Sequence, residues 1–165
     1  MNATIGLLAI LLAVLLQVSV MPSISVFGVH PNLVIVLLVA WMATRGRRET
    51  LLLIPAAGLL QGLLDSQPLG LAMLALAPLI IMTEVHELHL TESDLAPAFA
   101  LVALATLVYE ATILLSLAVT GDRIDWVASV RDVLVPAAIA NALLLLPVYG
   151  LMRLASFDFS RRPAY

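Results

Sequence analysis

The sequence predicts an all-α fold: a polytopic bundle of about six transmembrane helices forming one integral membrane domain over residues 1–165. Three observations carry this. Hydrophobic residues make up 62% of the chain and charged residues 12%, with a mean hydropathy of +1.10. Soluble domains are about half apolar and about a quarter charged. The apolar residues fall in successive runs, and 165 residues hold about six spans of about 20 residues with no room for a soluble domain. In the third run, Gly58, Gln61, Gly62 and Asp65 share an arc of roughly 100° at about 100° per residue. Gln and Asp are costly against lipid, and paired glycines permit close helix approach, so this stripe is expected to face protein.

Helix 1 is expected over residues 3–20, interrupted by Gln17 near its end. No basic segment precedes it and no small-residue cleavage site follows, so it reads as a retained span and not as a secretory signal. A connection rich in Ser, Pro and Gly leads to helix 2, over 31–44, where Pro31 suits the first helical turn. The loop Arg45-Gly46-Arg47-Arg48-Glu49 separates it from helix 3, over 50–64. A tight turn, Asp65-Ser66-Gln67, precedes Pro68, which opens helix 4 over 68–82. A polar stretch ends at Asp94, and helix 5 covers 95–119. The connection 121–131 leads to helix 6, over 133–154, and a basic tail. Helices 2 to 4 are short for a full crossing. Helices 3 and 4 could instead form a re-entrant hairpin, which leaves the orientation of the other segments unchanged.

The basic residues set that orientation. The chain has no lysine and eight arginines. With six spans, Arg45, Arg47, Arg48, Arg153, Arg161 and Arg162 fall on the side of the termini, and Arg123 and Arg131 on the other. The positive-inside rule then places both termini in the cytoplasm.

Chemistry-bearing residues are few. Absence of cysteine excludes disulfides, thiolate metal sites and cysteine nucleophiles. No phosphate-binding glycine loop, zinc-binding helix motif or nucleophile with a base is present, so no catalysis and no cofactor are expected. Asp65 can cap helix 4, or accept from a partner's backbone or arginine. Gly58 and Gly62 form a G-x-x-x-G pair suited to helix packing, with Gln61 beside them. Glu110 sits within helix 5, where an ionised carboxylate costs about 2.5–3.5 kcal/mol. It is expected to be protonated or turned to a polar interior, with Gln61, Asn141 or Tyr109 as neighbours. Glu84, His86, Glu87 and His89 read as an amphipathic collar in preference to a metal site. His30 reads as a turn or capping residue.

The chain resembles the bacterial rod shape-determining MreD family in an ordered set of segments. These are Leu16-Gln17, Met21-Pro22, Gly28-Val29-His30-Pro31-Asn32-Leu33, and Gly58-Leu59-Leu60-Gln61-Gly62-Leu63-Leu64-Asp65. Pro68-Leu69-Gly70-Leu71 follows, then Pro136, Asn141 and Pro147-Val148-Tyr149. The resemblance implies a non-enzymatic subunit of the cell-elongation machinery in the inner membrane. It would partner MreC, a single-span protein, beside MreB, RodA and its transpeptidase, with membrane lipid around it and no nucleic acid. The face of Gly58, Gln61, Gly62 and Asp65 is expected to help build the MreC surface. A second expectation is a small substrate-binding subunit of a vitamin-type, energy-coupling transporter, whose six-helix fold is similar. Such a subunit needs convergent polar and aromatic groups, and the chain has two Trp, three Tyr and four Phe.

Overall fold

A computed structural model describes residues 2–64, 70–89 and 95–159. Among these the regular structure is helical, with one isolated antiparallel bridge between Val26 and Val29. Helix α1 (Asn2–Ser19) ends in a 3₁₀ turn, Met21–Ser23, and α2 (Leu33–Arg45) and α3 (Arg47–Leu64) follow. Then come α4 (Leu71–Leu76), α5 (Pro78–His89) and α6 (Leu95–Val119). Last are a short α7 (Trp126–Ser129), a π-helical turn (Val130–Leu134) and α8 (Val135–Phe159). The fold is an all-α bundle of apolar helices, as the sequence predicts.

Among the described residues, three helical stretches are long and apolar enough to cross a membrane: Thr4–Ser23, Ala96–Val119 and Trp126–Met152. Leu33–Arg45 and Leu71–Glu84 are shorter apolar helices. The centre of the bundle is one of these short ones. Helix α2 packs against α1, α3, α6 and α8. Its residues Val34, Ile35, Val36, Leu38, Val39 and Ala40 have no exposed surface. A helix enclosed on all sides has to be apolar on all sides, and its sequence, LVIVLLVAWMATR, is.

Several boundaries differ from the sequence expectation, each for a local reason. Pro31 does not open helix 2; Asn32 is the N-cap and Leu33 the first helical residue. The expected loop 45–49 contracts to Gly46, whose φ of 85° turns the chain in one residue. Helix α3 resumes at Arg47, and the Thr50 hydroxyl donates to the Gly46 carbonyl at 2.9 Å. Gly70, at φ 94°, occupies the N-cap position of α4, whose first helical residue is Leu71. The break at Ala77 precedes Pro78, which has no N–H to continue the ladder.

The last helical stretch begins at Trp126, seven residues before the expected start at 133. Asp125 caps it, its Oδ1 accepting from the Val127 and Ala128 N–H groups at 3.1 Å each. Pro136 explains the π turn just upstream. Its ring would collide with the carbonyl four residues back, and widening the turn relieves that contact.

Candidate functional site in the buried polar network

A chain of polar groups, half-buried at Gln17 in the last turn of α1 and buried beyond it, ties four helices together. The Gln17 Nε2 donates to the Pro31 carbonyl at 3.2 Å, and its Oε1 accepts from the Leu33 N–H at 2.7 Å. Between them lies Asn32. Its Oδ1 accepts from the N–H groups of Val34 and Ile35 at 3.1 and 3.2 Å, capping α2. The Asn32 backbone N–H donates to Asn141 Oδ1 on α8 at 2.6 Å. Asn141 Nδ2 then donates to Thr106 Oγ1 on α6 at 2.9 Å. The Thr106 hydroxyl in turn donates to the Val102 carbonyl at 2.8 Å. Asn32, Thr106 and Asn141 are 7%, 0% and 1% exposed.

This network solves a specific problem. Helix α2 has 13 residues, about 20 Å at 1.5 Å per residue. Its first turn meets Asn141, which lies 15 residues beyond Trp126, about 22 Å along that helix. The N-terminus of α2 is therefore inside the bundle, where its unpaired N–H groups would have no water. Gln17, Asn32 and Asn141 supply the acceptors.

A second polar contact joins α3 to α6. Gln61, 3% exposed, donates from Nε2 to the Tyr109 hydroxyl at 3.2 Å. The Gln61 Oε1 is buried without a hydrogen-bond partner. On the same face, a Cβ added at Gly58 would lie 2.7 Å from the Met73 Cα. One added at Gly62 would meet the Gly70 nitrogen at 3.7 Å, an ordinary contact. The stripe therefore seats α4 of the same chain, with Gly58 the residue that has to be small. The opposite side of α3 carries exposed Leu52, Leu59 and Leu63.

At the far end of α2, the Trp41 Nε1 donates to Glu49 Oε2 at 3.2 Å, and the Arg45 guanidinium lies 5.6 Å from the Trp41 ring centroid. Arg47 pairs with Glu84. No cluster of three metal-ligating side chains occurs among the described residues.

The family model of the rod shape-determining protein MreD matches residues 1–155. The chain belongs to the MreD family. No curated protein and no solved structure matches it.

Of the MreD-like residues singled out in the sequence, Gln17, Pro31, Asn32 and Asn141 converge in one network. Gly70 starts α4, and Gly58, Gln61 and Gly62 lie on the α3 face turned into the bundle. Asp65 and Pro68 lie outside the described residues, as do residues 90–94 and the arginines at 161 and 162. The expected neighbours of Glu110 are engaged elsewhere: Gln61 with Tyr109, and Asn141 with Asn32 and Thr106. His30 is a turn residue, its Nδ1 at 3.0 Å from the Ile24 carbonyl oxygen. Sequence reasoning missed Thr106, because a lone threonine in an apolar helix usually bonds its own backbone. It also missed Gly6, where an added Cβ would meet Leu53 and Trp41 side chains at 3.0 to 3.1 Å.

Proposed function

We propose that this MreD-family chain is a non-enzymatic membrane subunit of the bacterial cell-elongation machinery. It scaffolds MreC and links it to peptidoglycan synthesis, beside MreB, RodA and its transpeptidase. The observation that carries the reading is the family match over residues 1–155. The protein sits in the inner membrane with six crossings and both termini in the cytoplasm, an orientation supported by the distribution of its arginines.

The geometry supports a scaffold. Polar groups that bind one another across α1, α2, α6 and α8 fix the helix arrangement and give the bundle a defined outer surface. A transporter subunit would instead need such groups turned toward a ligand. Because Gly58 and Gly62 seat α4, the stripe shapes the bundle from within, and the MreC contact belongs on an outer face.

The test is depletion of the chain from its own rod-shaped host. Rods are expected to round up and to recover when the wild-type chain is restored. Rods that keep their width and length on full depletion would contradict the proposal.

A further inference from the structure

We infer that the surface of α6 and α8 beside Glu110 docks a single transmembrane helix of another protein, one bringing a hydrogen-bond donor (Arg, Lys, Asn or Gln) to the Glu110 carboxyl. This rests on the reading above, that the chain works with a single-span partner, and assigns that partner a surface.

Glu110 is the sole Asp, Glu, His, Lys or Arg between Leu95 and Val119. It lies 15 residues along this helix, about 22 Å from its start and so far from either end. It forms no hydrogen bond or ion pair among the described residues. It is also partly exposed, so another molecule can reach it.

Register locates it. Helices α6 and α8 run antiparallel, and Thr106 faces Asn141. One turn further out, Glu110 comes level with Ala137, a buried residue with no polar side chain to offer. Beyond that level the pair is only partly covered: none of residues 111–119 or 126–136 is buried. Leu115, Val119 and Val127 are 59%, 81% and 80% exposed. The π turn at Val130–Leu134 falls in the same stretch, and such turns recur where helices meet ligands and partners.

Hydrocarbon can cover those leucines and valines but cannot satisfy a carboxyl group. An apolar helix carrying one polar side chain can do both. Charge and hydrogen-bonding complementarity therefore select the occupant: an apolar helix with one donor at the depth of Glu110.

The test is co-expression with MreC from the same genome, with a photocrosslinking residue at Leu114, one turn beyond Glu110 on the same flank, or at Leu59 on the outer side of α3. Crosslinked peptides and MreC recovery are read by mass spectrometry. The inference predicts crosslinks from position 114 into the MreC membrane span and none from position 59. It also predicts that Glu110→Leu lowers MreC recovery about tenfold, while Glu110→Gln, which still hydrogen-bonds, retains most of it. MreC recovered undiminished by Glu110→Leu, with crosslinks arising from position 59, would overturn this surface and leave the scaffold reading standing. Failure of the wild-type chain to capture MreC at all would overturn both.

Discussion

The backbone N–H of Asn32 and the side-chain oxygen of Asn141, 109 positions apart in the chain, lie 2.6 Å from each other in the middle of the bundle. The bond lets a 13-residue helix begin deep inside the protein, with its first turn capped by Asn32 and flanked by Gln17. Four helices meet around it: α2 and α8 share it directly, α6 joins through Thr106, and α1 through Gln17 on either side of Asn32.

Asn141→Leu removes an acceptor from the Asn32 N–H and a donor from Thr106. A buried group left unpaired costs about 1–3 kcal/mol, and unfolding in mild detergent should show the loss. Thr106→Val deletes one acceptor and should cost less, about 1 kcal/mol. Equal effects from the two would mean that Asn141 is not the organising residue.

Glycine at 58 and glycine at 62 should behave differently. Gly58→Ala pushes a methyl group into the Met73 backbone, so α3 and α4 have to separate. Overpacking of this kind costs about 1–3 kcal/mol. Gly62→Ala meets its nearest atom at 3.7 Å and should be tolerated. The same detergent melting curves compare them, and a more damaging Gly62→Ala would contradict the packing described.

The Arg47–Glu84 pair should matter little to stability. Its side chains are 32% and 55% exposed, and exposed ion pairs contribute at most about 1 kcal/mol. Glu84→Ala is expected to leave the melting temperature within a degree or two, roughly the error of the measurement.

Orientation is directly measurable because the chain has no cysteine. In intact cells, a membrane-impermeant thiol reagent should label Asp122→Cys, and should label Arg48→Cys only after the membrane is opened. Both positions are exposed. The reverse labelling would invert the assigned topology.

Much of this was legible in the sequence, and what was not has a physical cause. The bundle follows from apolar runs, whose length and composition are local properties. Gln17, Asn32 and Asn141 stood out as polar residues in apolar surroundings, yet their convergence depends on helix register over more than 100 positions. Glu110 was assigned neighbours among the few polar residues at similar depth, and those residues chose one another. The early start at Trp126 was readable, since Asp125 before an apolar run is a capping signal. The π turn was not, because Pro136 acts on it through a carbonyl contact that no local pattern displays.

The most direct test of the central claim is the mass of the complex that this chain forms with MreC. The tagged chain, co-expressed with MreC from the same genome, is purified in mild detergent and weighed by native mass spectrometry. The scaffold account predicts a defined complex whose mass is the 17.6 kDa chain plus whole copies of MreC. The chain emerging alone, or carrying only a small bound molecule, would contradict it.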